Sequence, residues 1–217
     1  MPGAFDTLVY GINNTGQIVG EYYTGIDVRA HGFLYANGVF TTIDAGFNTY
    51  AYGINDAGQI VGSVTGYDDN YEYGFLYANG KLTLINAPGG SYVVKGINNA
   101  TQIVGNSGRG GFLFSNGVFS PVNLPDGSNI ITANGINNLG QIVGLGFYQG
   151  MAQGYVDTNG AFTFFNFPGA TSIYPNGIND RGQIVGFYST LSVPEPASLL
   201  LFAIGLAGIG CVVRRRS

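Results

Sequence analysis

Cysteine is nearly absent from this chain of 217 residues: the only one, Cys211, lies in an apolar C-terminal stretch. Residues 1–190 therefore offer no disulfide and no thiol chemistry. Tryptophan is missing, which weakens the case for a strong sugar-stacking site, and charged residues make up only 9%. Basic clusters are lacking too. Up to residue 190 there are five Lys and Arg against eleven Asp and Glu, so nucleic acid is excluded as a partner, because phosphate binding needs grouped positive charge. The first residues, "MPGAFDTLVYG", hold no basic start, no apolar run and no small-residue cleavage site, so no signal peptide is read there. That absence leads to the expectation that Met1 is not the natural start.

What is present is glycine, at 37 residues, with fifteen each of Tyr and Phe and 45% hydrophobic residues. Such a chain is too apolar for disorder, and its glycines keep no three-residue period, so it is not collagen-like. Ten residues recur five times: "GINNTGQIVG" from Gly11, "GINDAGQIVG" from Gly53, "GINNATQIVG" from Gly96, "GINNLGQIVG" from Gly135 and "GINDRGQIVG" from Gly177. The spacings are 42, 43, 39 and 42 residues. A second motif interleaves, as in "GFLYANGVFTTID" from Gly32 and "GFLYANGKLTLIN" from Gly74. A repeat of this length is one supersecondary unit that buries its faces only by stacking.

Each unit reads as four strands. The first ends in "GIN", and an Asx-rich turn follows with Gly16, Gly58, Gly140 or Gly182; Thr101 takes that place in the third copy, which implies a different turn there. "QIVG" opens strand two and "GFLY" is strand three. Asn-Gly pairs at 37–38, 79–80, 116–117 and 159–160 make two-residue hairpins into strand four. In strand two, Ile and Val are adjacent, so their side chains point to opposite faces and both faces must be buried. Sheets packed face to face around an axis meet that demand. The expected fold is all-β: a β-propeller of four-stranded antiparallel blades, four complete plus a half, five-bladed when full length. Units start near residues 7, 48, 90, 129 and 171 within a repeat domain spanning 1–190. A four-bladed ring with a spare hairpin is the alternative.

The tail differs. Residues 191–196 form a linker, 197–213 carry no charge at the short end of bilayer-spanning length, and 214–217 form a basic end held cytoplasmic by its arginines. Together, Val193, Pro194, Glu195, Pro196, the apolar stretch and Arg214, Arg215 and Arg216 resemble the PEP-CTERM sorting signal of exported proteins in Gram-negative bacteria. The resemblance implies recognition by an exosortase, cleavage near Pro-Glu-Pro, and delivery to the cell surface or exopolysaccharide matrix. A single membrane span puts the body outside the cytoplasm. The repeats resemble the HAF family of extracellular repeats, whose hallmark adds His-Ala-Phe; only His31-Gly32-Phe33 approaches it, with Tyr73, Gly110 and Gln153 replacing the His elsewhere. That implies location, not chemistry.

A glycosidase needs two carboxyls about 5–10 Å apart. The first-strand segments at 7–10, 48–52, 91–95, 129–134 and 172–176 hold no Asp, Glu or His. No catalytic residue, metal site or cofactor is assigned, and His31 is read as a hydrogen-bonded structural residue. The acidic loop Asp68-Asp69-Asn70-Tyr71-Glu72 is read as solvated rather than calcium-binding. The residues preceding each "GIN", namely Tyr10, Tyr52, Lys95, Asn134 and Asn176, vary within a constant frame and form the candidate ligand rim. The expected function is a non-enzymatic binding or structural module of the envelope or exopolysaccharide matrix. Its expected partners are an exosortase, membrane lipid and extracellular polysaccharide. A carbohydrate-active enzyme and a purely adhesive repeat protein are the alternatives.

Overall fold

Alternating side chains and tight Asn-Gly turns shape the sheets of this chain. The structure, a computed structural model, describes residues 1, 3–65, 71–85, 90–129 and 131–190. Unit one holds β1 (Asp6–Ile12), β2 (Ile18–Tyr23), β3 (His31–Ala36) and β4 (Val39–Ile43), and unit two holds β5 (Asn48–Ile54), β6 (Ile60–Thr65), β7 (Glu72–Ala78) and β8 (Lys81–Ile85). Unit three holds β9 (Tyr92–Ile97), β10 (Ile103–Ser107), β11 (Gly110–Ser115) and β12 (Val118–Pro121). Unit four follows with β13 (Gly135–Ile136), β14 (Ile142–Tyr148), β15 (Met151–Thr158) and β16 (Ala161–Phe165), and unit five has β17 (Ser172–Ile178) and β18 (Ile184–Ser189). Every sheet is antiparallel and runs in chain order: four sheets of four strands and one of two. Among the described residues there is no helix. The expected span at 197–213 lies outside the described residues, and none of them forms a helix long and apolar enough to cross a membrane.

The Asn-Gly hairpins form as expected. Asn37 and Gly38 have φ of 51° and 82°, and Asn79, Asn116 and Asn159 are equally left-handed, the conformation a two-residue turn requires. The turn of the third copy is not different. Thr101 adopts φ 59° itself and closes the same bond, its N–H donating to Asn98 O at 3.0 Å. The strain of a β-branched residue there is offset in part by its hydroxyl, which donates to Gln59 Oε1 at 2.9 Å.

The adjacent Ile and Val enter different cores. Ile60 packs with Val19, Ile54 and Phe75 between units one and two, while Val61 joins Val94, Ile97 and Phe112 between units two and three. Ile103 and Val104 divide in the same way between two cores. Each core thus lies between neighbouring sheets, not within one. Fully burying each of these side chains is worth about 1.5–3 kcal/mol.

Strand one of unit four is shorter than the sequence implies. Only Gly135–Ile136 pairs as a strand, with a single bridge from Ile131 to Gly146. Thr132 N and Asn134 N still donate to Leu145 O and Val143 O of β14, while on the other side Ile131 O accepts from Gly111 N and Ala133 N donates to Asn106 Oδ1 at 2.7 Å. The Thr132 hydroxyl accepts from Leu145 N at 3.0 Å in place of a ladder bond.

Candidate functional site

Strand one of each unit leads into an Asx turn, and the five Ile-Asn-Asn or Ile-Asn-Asp corners line one pocket. The first Asn of each corner works in two directions. Asn98 Oδ1 accepts from Ala100 N and Gln102 N within its own turn, at 3.1 and 2.9 Å. Its Nδ2 donates to Gln102 Oε1 at 2.8 Å and across the seam to Asn137 O at 3.1 Å. Asn13, Asn55 and Asn137 do the same toward Asn55 O, Asn98 O and Asn179 O. The second residue builds an outer row. Asn14 N and Nδ2 donate to the two oxygens of Asp56, both at 2.9 Å, and Asn138 treats Asp180 likewise. Hydrogen bonds from Asn99 and Asn14 hold the Asp56 carboxyl below the usual carboxylate range. Turn chemistry alone does not account for these asparagines, because they also join the units.

The candidate rim lies next to these corners. Tyr10, Tyr52, Lys95 and Asn176 are each skipped in the pairing of strand one with strand two, so each is the extra residue of a β-bulge, a device that re-aims a side chain. Three of them meet. The Tyr10 and Tyr52 rings are 5.1 Å apart, and Lys95 Nζ sits 4.1 Å above the Tyr52 ring. Tyr50 stacks on Tyr52 at 6.1 Å. Asn134 Nδ2 donates instead to Pro175 O at 2.9 Å, beside Asn176, which is exposed. Burial raises the Tyr52 hydroxyl and lowers the Lys95 ammonium, the latter opposed by the charge of Glu72.

Glu21 escapes the sequence reading. It follows the "QIVG" of unit one, where the other units carry Ser63, Asn106, Leu145 and Phe187; variation after a constant motif is the signal that could have found it. Glu21 is 3% exposed. Its Oε1 accepts from the Tyr10 hydroxyl at 3.0 Å, whereas Oε2 is buried without a hydrogen-bond partner among the described residues. Ser63 and Asn106 instead accept from Val94 N and Ala133 N of the next unit. Burial pushes the Glu21 carboxyl above the usual range, against the lowering effect of the Tyr10 hydrogen bond. Its folded pKa exceeds the unfolded one, so its contribution is fully present in acid and is lost as pH rises through the folded pKa. Glu21→Gln keeps an acceptor for Tyr10 and removes that loss. It is expected to be more stable than the parent by about 1–2 kcal/mol near pH 8 and not at pH 4. Thermal melts across pH check this: an unchanged slope would assign it elsewhere.

His31 is held from both ring nitrogens. It is buried and stacked on Tyr22, with Nδ1 2.9 Å from Asp44 and Nε2 3.0 Å from Asp27, and Arg29 lies against both carboxylates. Among the described residues no group of three or more His, Cys, Asp or Glu could hold a metal ion. Asp68, Asp69 and Asn70 of the acidic loop lie outside the described residues.

Residues 192–216 match the family model described as the PEP-CTERM protein-sorting motif. The match covers Val193, Pro194, Glu195, Pro196, Arg214, Arg215 and Arg216, all outside the described residues. No curated protein matches the chain. The motif is one that an exosortase recognises, and it marks the chain as exported and membrane-anchored or surface-sorted.

Proposed function

We propose that this chain is a β-propeller of HAF-type repeats that acts at the cell surface as a binding or structural module of the envelope or exopolysaccharide matrix, without catalysis. The observation that carries the reading is the sorting motif at 192–216. Sheets that share cores only with their neighbours, and corners from all five units around one pocket, support the propeller. Residues 197–213 hold the chain in the membrane until an exosortase acts near Pro-Glu-Pro. The bulge residues Tyr10, Tyr52 and Lys95, with Asn134 and Asn176, present the binding surface, and extracellular polysaccharide is its ligand.

Two experiments test the two halves. In cells that carry an exosortase, replacing Pro194, Glu195 and Pro196 together by alanine is expected to leave the full-length chain in the membrane fraction. The parent chain is expected to lose its tail. Equal processing of both would remove the sorting reading. On a glycan array, Tyr52→Ala is expected to weaken whatever polysaccharide the parent retains by tenfold or more, about 1.4 kcal/mol or above. Unchanged retention would move the surface away from the bulges.

A further inference from the structure

In units one, two and three an aromatic residue stands at the same place on strand three. Tyr35 pairs with Ile18 and Phe40, Tyr77 with Ile60 and Leu82, and Phe114 with Ile103 and Phe119. Tyr77 packs into the core between units one and two, and Phe114 into the core between units two and three. In unit four the residue at that register position, paired with Ile142 and Phe162, is Asp157. The seam between units three and four therefore lacks the ring that the two seams before it contain.

A cavity of about 490 Å³ opens in that seam, a size within the range of small-ligand pockets. Leu113, Ile142 and Phe162 give it apolar walls, while Gln102 and Ser120 add neutral polar groups. Asp157 lines it as well and is only 8% exposed. Its Oδ1 accepts from Gly160 N at 2.6 Å. Among the described residues its Oδ2 has no hydrogen-bond partner, and no Lys, Arg or His pairs with it. None of the residues lining the cavity is a cation. Burial raises the Asp157 carboxyl above the usual range, against the lowering effect of the Gly160 bond. A buried carboxylate that meets no positive charge is costly to keep.

We propose that this cavity binds a protonated primary amine borne on a compact ring, the ammonium donating to Asp157 Oδ2 and the ring lying against Leu113, Ile142 and Phe162. The ammonium supplies the partner that the protein withholds from Asp157, and the apolar walls take the ring carbons out of water. The ring is that of a free hydrocarbon amine or of an amino sugar. This site is separate from the bulge residues and does not depend on what they bind.

The test uses the full chain in a polyoxyethylene detergent, with binding followed by saturation-transfer NMR and titrated to a Kd. Two matched pairs are offered: cyclohexylamine against cyclohexanol, and D-glucosamine against D-glucose. At least one amine is expected to bind about tenfold or more tightly than its alcohol. Binding of D-glucosamine identifies an amino sugar as the source, and binding of cyclohexylamine alone a free apolar amine. Asp157→Asn keeps an acceptor for Gly160 N and is expected to lose the preference for the amine. Asp157→Phe restores the ring that Phe114 supplies in unit three. It is expected to bind neither amine while melting no lower than the parent. The proposal is overturned if neither amine binds more tightly than its alcohol, or if a folded Asp157→Asn or Asp157→Phe chain keeps the parental preference. The comparison of amine with alcohol needs no variant, so it decides the matter even where a substitution unfolds the chain.

Discussion

Asn98→Ala is expected to destabilise the body by about 3–5 kcal/mol. Asn98 is 3% exposed and makes four hydrogen bonds, two accepted within its turn and two donated, one of them across a seam. Alanine leaves Asn137 O, Gln102 Oε1 and two backbone N–H groups without their partner, and each such buried group costs about 1–3 kcal/mol when water cannot replace it. The melting transition should fall by roughly 10 °C. Asn179→Ala supplies the comparison. Asn179 makes the same contacts inside its turn but has no seam partner among the described residues and is exposed, so its loss should cost about 1 kcal/mol. Equal losses for the two variants would show that the asparagines act through the turn alone.

Gly62→Ala is expected to prevent the body from folding, or to cost more than about 3 kcal/mol. The reason is backbone proximity, not conformational freedom. The bulge in β5 swings the Tyr50 carbonyl over Gly62, so that a Cβ would lie 1.8 Å from Tyr50 O and 2.8 Å from the Phe75 ring. The carbonyl cannot retreat without breaking the pairing of β5 with β6, and the ring belongs to a filled core. The last glycine of "QIVG" faces the same obstacle at Gly20, Gly105, Gly144 and Gly186, at 1.8–2.2 Å from a carbonyl oxygen. Gly108→Ala is the control: nothing lies within 4 Å of its Cβ, and it should shift stability by no more than about 0.5 kcal/mol. Thermal melts of the two alanine variants decide the matter. A folded Gly62→Ala with a parental transition would mean that the bulge is free to move.

The parts of the fold legible in the sequence were those set by neighbouring residues. Asn37-Gly38 and its counterparts dictated their turns, and the adjacency of Ile60 and Val61 required two buried faces, which the cores on either side supply. Contacts between residues far apart in sequence were not legible. An asparagine in an Asx turn looks locally satisfied, and nothing in "GINN" tells that its Nδ2 also donates to a carbonyl 39–43 residues away. The turn at Thr101 was misjudged for the same reason. Its own residue type disfavours the left-handed region, while the seam contacts of Asn98 and the bond to Gln59 hold it there. Of the candidate site, the five positions before "GIN" stand out by their variety, and four of them, Tyr10, Tyr52, Lys95 and Asn176, are bulges, which explains why side chains so different are tolerated there. Glu21 was missed because its partner, Tyr10, is eleven residues away with a turn between.

Since each corner grips the next through groups that every corner possesses, whole units are interchangeable parts. Excising residues 53–95 in frame would bring Asn13 to the carbonyl of Asn98, an acceptor of the same kind as the one it leaves. A gene encoding such a chain can grow or shrink by a module at a time while inventing no new contact.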